Sequence, residues 1–489
     1  MGKTSLYNIK KMPEESLKSQ TKKGLYWKFA EQFANYGVQF IIGIAMARML
    51  SPQDYGISAI PAVFLAIAGI FISGGFSSAL VRKPELKEED LSTAYIYSMS
   101  VGCFCYAILF IAAPWIADFY ETPVLKSLIR VTALSFIYGP IGTPQDVLLK
   151  RRLDFKTPAK ISVVVKILSA IIGVTMAYTG YGVWALIISG MVAGVVGQVI
   201  TISVVRWYPK TGWSKESFQY LWNYGNKIIA SDLINQLYNN ITPVIVGKFF
   251  SLADLGVYNR AYGYASMPSS QLHGVVNSVS FPVLSKIQND GERLINNYRR
   301  MIKVSGFITF PLMMLLSALA RPLIITMITA KWEACIILLQ IICFSLMWYP
   351  IHALNLNILQ IQGRSDLFLK LEIIKKVWGL FVMCVSLPFG LIAFCSAGIV
   401  SSIISLYINT WYTGKFYSFG FKKQLTDLMP ILILALLMFV CVLGITHIVS
   451  NMILQIIIGG IVGFVVYVGG AFFMKLDSLK DVQYLLKRN

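Results

Sequence analysis

Apolar residues in this chain come in long runs separated by short polar segments, and the run 431–444 carries neither a charge nor a two-residue alternation. Barrel strands would alternate polar and apolar positions over roughly ten residues, so the pattern specifies helices. Each run reaches the roughly 20 residues that a helix rising 1.5 Å per residue needs to cross a hydrocarbon core of about 30 Å. The pattern predicts an all-α membrane protein of about fourteen transmembrane helices. The first six fall near 24–48, 56–80, 91–113, 124–148, 158–179 and 182–205. Six more fall near 218–249, 257–284, 298–320, 332–360, 366–389 and 391–417, and a last pair near 428–448 and 452–474.

Composition supports this reading. The 489 residues are 56% hydrophobic and 13% charged, too apolar for a soluble globule with a charged surface. The net charge of +20 resides in short loops and draws no basic face for nucleic acid. Residues 1–23 mix six lysines with Glu14 and Glu15 around no apolar core, which reads as a cytoplasmic segment without a cleavable signal. The seven cysteines lie within apolar runs without metal-binding or disulfide spacing. Alternate loops collect the bases: Arg82 and Lys83, then Lys150 to Arg152, Arg206 and Lys210, Arg299 and Arg300, Arg364, Lys422 and Lys423, and a tail over 475–489. The opposite loops are nearly bare, with Lys126 and Arg130 as mild exceptions, so the positive-inside rule predicts cytoplasmic termini.

A shift of about 200 positions superposes the chain on itself. Arg48, Ser51, Asp54 and Gly56 then face Lys248, Ser251, Asp254 and Gly256, while Gln32, Asn35 and Gln39 face Asp232, Asn235 and Asn239. Six crossings separate the copies, so the repeat is parallel. It predicts an N-lobe over 24–206, a C-lobe over 207–417, an appended pair over 418–474, and a substrate cavity between the lobes.

Two polar stripes carry the candidate chemistry: Lys28, Glu31, Gln32, Asn35 and Gln39 in the first span, and Lys227, Asp232, Asn235 and Asn239 in the seventh. A charge facing lipid costs about 2.5–3.5 kcal/mol on insertion scales, so matched stripes with charges point to a wet cavity, although interhelical hydrogen bonding explains any single Asn. Glu31 and Asp232 are candidates for ion coupling, with H+ or Na+ as the ion. Lys166 can snorkel or project into a cavity. Ser51 and Ser251 read as N-caps with Asp54 and Asp254 in the first turn, while Arg48 and Lys248 before them, with Arg260, extend the set of candidate cations. Glu372 with Lys376 reads as an ordinary i,i+4 pair, and His273 and His352 read as packing residues before proton carriers.

The phrases Ala47-Arg48-Met49-Leu50-Ser51-Pro52-Gln53-Asp54-Tyr55-Gly56, Leu149-Lys150-Arg151-Arg152-Leu153-Asp154-Phe155-Lys156, Gly180-Tyr181-Gly182-Val183-Trp184-Ala185-Leu186 and Leu255-Gly256-Val257-Tyr258-Asn259-Arg260-Ala261 keep a distinctive order and spacing. In these the chain resembles the Wzx-type and colanic-acid-type polysaccharide flippases of the multidrug, oligosaccharidyl-lipid and polysaccharide exporter superfamily. The resemblance implies two six-helix lobes in a bacterial inner membrane, a cationic central cavity and alternating access. It further implies a polyprenyl-pyrophosphate-linked oligosaccharide as substrate, membrane lipid and polysaccharide assembly proteins as partners, and a groove for the prenyl tail on the last two helices. Lys28, Lys166 and Lys227 suit the anionic head group. No catalytic residue, resident cofactor or metal site is expected. A multidrug exporter of the same superfamily is the neighbouring alternative, and a membrane glycosyltransferase or polymerase would need acidic catalytic residues on a substantial outward loop, for which Asp118 and Glu121 in one short loop are poor candidates.

Overall fold

The computed structural model describes the backbone of residues 37–487 and the side chains of residues 37–482. Helices account for every regular element among these residues, with no strand. Contacts divide the chain into two compact units between Gly256 and Val257.

The first unit contains α1 (Gly37–Met49), α2 (Pro52–Ser73), α3 (Phe76–Arg82), α4 (Glu88–Phe119), α5 (Val124–Ala133), α6 (Ser135–Tyr138) and α7 (Thr143–Arg151). It continues through α8 (Lys156–Tyr178), α9 (Val183–Val205), α10 (Lys215–Phe249) and the first turn of α11 (Leu252–Lys286). The run expected over 56–80 divides into α2 and α3 because Gly74 and Gly75 adopt φ of 58° and 68°, a left-handed conformation that glycine reaches without a Cβ penalty. The run over 124–148 divides into α5, α6 and α7 around a 3-10 turn at Gly139–Gly142, where Pro140 and Pro144 remove backbone donors. The helices α8 and α9 pack side by side, and α10 packs on α2, α3 and α4, so this unit extends past the point where the sequence repeat restarts. Phe76, Leu80, Leu91, Val147, Leu148, Trp207 and Leu221 join α3, α4, α7 and α10 in one buried cluster.

The second unit holds the rest of α11, then α12 (Gly291–Ala318), α13 (Ala320–Ile328), α14 (Ala334–Leu346) and α15 (Tyr349–Ile361). It ends with α16 (Ser365–Ser386), α17 (Gly390–Tyr417), α18 (Phe421–Ile448), α19 (Met452–Phe473) and α20 (Asp477–Lys487). The run over 332–360 is interrupted at Met347 and Trp348, with Pro350 in the first turn of α15. By contrast, Pro243, Pro268 and Pro311 lie inside continuous helices. The helix α12 packs on α14, α15 and α18, while α16 packs on α17 and α18 on α19. Small residues let α19 approach closely: an added Cβ at Gly459 would lie 2.8 Å from Leu319 Cδ2, and at Gly463 3.0 Å from Leu315 Cδ1.

Among the described residues, 10 stretches have the length and hydropathy to cross a membrane, one of them containing both α16 and α17. The 35-residue helices α10 and α11 are long enough but more polar. The protein is an all-α multi-pass membrane protein.

Candidate functional site

Lys28, Glu31, Gln32 and Asn35 lie outside the described residues, so of the first stripe only Gln39, exposed on α1, is placed. The second stripe is fully described. Ser217, Leu221, Gly225 and Ile229 are buried on the packing face of α10, and so are Val246 and Gly247 near its other end. At about 100° per residue, Asp232, Asn235 and Asn239 continue that same face, yet all three are exposed. The packing face of α10 thus has a polar, accessible middle between two buried ends. Lys227 is exposed as well, but sits about 140° around the helix from Asp232. Lys166 is half-buried on α8.

The remaining candidate cations differ in how they are held. Arg48 is exposed beside the start of α2. Lys248 donates to the Phe119 carbonyl at 2.6 Å, lies 4.5 Å from the Phe119 ring centroid and 3.8 Å from the Glu121 carboxylate. It therefore ties the end of α10 to the end of α4. In the second unit, the Arg260 guanidinium is 5.6 Å from the ring centroids of both Tyr264 and Trp332, an aromatic setting that holds a cation partly desolvated.

Both repeated Ser-x-x-Asp segments close capping boxes. Asp54 N–H donates to Ser51 Oγ at 3.2 Å while Ser51 N–H donates to Asp54 Oδ2 at 2.9 Å. The corresponding distances for Asp254 and Ser251 are 3.0 and 3.2 Å. Each box satisfies orphan donors in the first turn of a helix. The repeated glycines just beyond them meet. A Cβ on Gly56 would lie 1.7 Å from the Leu252 carbonyl oxygen, and one on Gly256 would lie 1.9 Å from the Pro52 carbonyl oxygen. Pro52 and Leu252 are themselves related by the 200-residue shift, so the two copies of the motif cross reciprocally at their helix starts.

Other polar residues matter that sequence reasoning did not single out. Arg151 is buried and donates to the carbonyls of Leu80 at 2.9 Å, Val81 at 3.2 Å and Pro84 at 3.0 Å, and to that of Lys83. Asp90, also buried, accepts from Lys83 Nζ at 2.7 Å, Lys87 N–H at 2.9 Å and Ser217 Oγ at 2.7 Å. In the second unit the Tyr298 hydroxyl donates to Asn355 Oδ1 at 2.7 Å, and the Gln424 amide donates to the same oxygen at 3.0 Å. The carboxylate of Glu372 pairs with Lys375, one residue earlier than the Lys376 that the i,i+4 reading favoured.

Comparison with known proteins gives a consistent result. The teichuronic acid biosynthesis protein TuaB of Bacillus subtilis is 23% identical over 432 residues, covering 86% of this chain and 88% of that protein. The lipopolysaccharide biosynthesis protein WzxC of Escherichia coli is 23% identical over 367 residues, covering 74% of each. Among solved structures, the lipid II flippase MurJ in an inward closed conformation shares the fold, with a TM-score of 0.73 at 18% identity over 92% of this chain and 99% of that one. Residues 45–337 match the family described as polysaccharide biosynthesis protein, which is more than half of the sequence, and the chain belongs to that family.

Proposed function

We propose that this protein flips a polyprenyl-pyrophosphate-linked oligosaccharide from the cytoplasmic to the outer leaflet of a bacterial inner membrane, by alternating access, for cell-surface polysaccharide assembly. The observation that carries the reading is the accessible polar middle of α10, Asp232, Asn235 and Asn239, within a helix whose flanking positions on the same face are buried. A polar surface at mid-helix in an otherwise apolar membrane protein is costly unless water or a polar cargo meets it. Family membership, the biosynthetic roles in the names of TuaB and WzxC, and the fold shared with a lipid flippase supply the substrate class. On this reading the chain makes about fourteen crossings, its cations Lys28, Lys166 and Lys227 meet the pyrophosphate, and H+ or Na+ drives the cycle through Glu31 or Asp232.

Flipping of a fluorescent polyprenyl-pyrophosphate saccharide in proteoliposomes tests it. Lys227→Gln and Asp232→Asn should each lower the flipping rate about tenfold or more at unchanged protein incorporation, and Lys227→Arg should lose less. Wild-type protein that scrambles no such lipid under any imposed proton or sodium gradient would overturn the reading.

A further inference from the structure

The pair Glu372–Lys375 lies within α16, roughly 10–15 Å along the helix from Ser365, at a depth where charges are rare. Both partners belong to one helix, at i and i+3, so the pair fastens no two helices together. A buried ion pair is in any case weak evidence of stabilisation, since apolar residues of similar volume often do as well. The side chains are 15% and 27% accessible for Lys375 and Glu372, shielded but reachable.

Glu372 is the carboxylate that pairs with Lys375, and a second lysine stands within its range. His352 of α15, within electrostatic reach of Lys375, is held on both ring nitrogens. Its Nδ1 is 3.3 Å from the Asn409 amide nitrogen, which donates, and its Nε2 is 3.1 Å from Ser402 Oγ. The Ser402 hydroxyl spends its own proton on the Ser345 carbonyl at 3.0 Å, so it accepts from Nε2–H and the imidazole is the neutral tautomer. Tyr349, also on α15 and exposed, lies within reach of Glu372 but carries no charge near neutrality. Lys376, four residues beyond Glu372, stands at the other helical spacing that a glutamate can bridge.

We propose that Glu372 is a built-in placeholder for the anionic head group: a pyrophosphate displaces it from Lys375, and the freed carboxylate turns to Lys376. This rests on the flippase reading above and makes Lys375 a head-group contact within the second unit. A pyrophosphate brings more charge and more acceptor oxygens to an ammonium than a carboxylate does, so it wins the exchange when present. When it leaves, Glu372 returns, and Lys375 is never left as an unpaired charge in the membrane. The competition lowers apparent affinity by the fraction of protein in which the pair is closed.

Binding of farnesyl pyrophosphate to the purified full-length protein in nanodiscs tests this, with inorganic pyrophosphate run alongside. Glu372→Gln removes the competitor and should tighten farnesyl pyrophosphate binding about tenfold, while Lys375→Gln should weaken it by at least about that factor. The double variant should bind like Lys375→Gln alone, because the gain exists only where Lys375 is present to be freed. That non-additivity separates placeholder from folding damage. Inorganic pyrophosphate should follow the same order of variants at weaker absolute affinity. Unchanged binding in Glu372→Gln, or a gain that persists without Lys375, overturns the proposal and leaves the flippase reading standing. Wild-type protein that binds neither farnesyl pyrophosphate nor inorganic pyrophosphate also overturns the proposal, while the flippase reading is decided by the flipping assay.

Discussion

Gly56 and Gly256 show what a single hydrogen in place of a side chain accomplishes. Backbone carbonyls of Leu252 and Pro52 occupy the positions where a Cβ would be, 1.7 and 1.9 Å away, and a carbonyl in a helix cannot swing aside as a side chain can. Alanine at either position must push the starts of α2 and α11 apart, so Gly56→Ala and Gly256→Ala should each cost about 1–3 kcal/mol of stability. Thermal unfolding in detergent should show comparable losses for the two, as the reciprocal geometry requires, while Gly37→Ala, with open space around it, should change little. The caps beside these glycines were legible in the sequence because both partners of each box lie within one turn. Arg151 was not. Its carbonyl partners are 67 to 71 residues away, and in the sequence it is one more base in a basic loop.

At the scale of elements, hydrophobic run length located the helices but not their breaks. Pro140, Pro144 and Pro350 stand at or beside interruptions, whereas Pro243, Pro268 and Pro311 are absorbed in continuous helices. The difference depends on how neighbouring helices satisfy the freed carbonyls, which no local pattern records. The pin joining α12, α15 and α18 was likewise invisible, since Tyr298, Asn355 and Gln424 are far apart in sequence and fully buried. Asn355 accepts from both of its partners through one oxygen, and its own amide donates to Gln424 Oε1 at 3.1 Å and to the Ile351 carbonyl at 3.0 Å. Asn355→Leu takes away the acceptor of the Tyr298 hydroxyl and the donor to Gln424 Oε1 in a dry interior, while the Gln424 amide nitrogen keeps the Phe419 carbonyl at 3.3 Å, and should destabilise the protein by about 2–3 kcal/mol. The triple change Tyr298→Phe, Asn355→Leu and Gln424→Leu removes every member together. It should cost less than Asn355→Leu alone, measured by the same unfolding midpoint.

For the whole molecule, the alternation of loops along the sequence is matched within each unit. Lys83 and Asp90 follow the second predicted span, Arg151 the fourth, and Trp207 and Ser217 the sixth; all five gather at one end of the first unit through Arg151, Asp90 and the bond from Trp207 Nε1 to Glu88 at 3.3 Å. At another end Glu121, after the third span, meets Lys248, in the last turn of the seventh. In the second unit Arg299 binds Asp427, Arg300 lies 2.6 Å from Asp481 and Lys303 4.0 Å from Asp477, so segments on either side of an even number of crossings again share a face. Of the two exceptions to the charge bias, Arg130 is restrained locally, its Nε donating to the Phe110 carbonyl at 3.2 Å with the guanidinium 4.0 Å from the ring centroid; Lys248, among the few bases of the opposite loops, is bound to Phe119. Such isolated charges count for little against loops carrying several bases each, and the bias between loops sets orientation. Single cysteines at Lys150 and Arg299, in a background without native cysteines, should therefore react with an impermeant maleimide only after the cytoplasmic side is opened. Cysteines at Glu121 and Gly180 should react in intact cells. Reversed labelling at both pairs would invert the orientation while leaving the alternation intact, whereas mixed labelling within a pair would break the alternation itself.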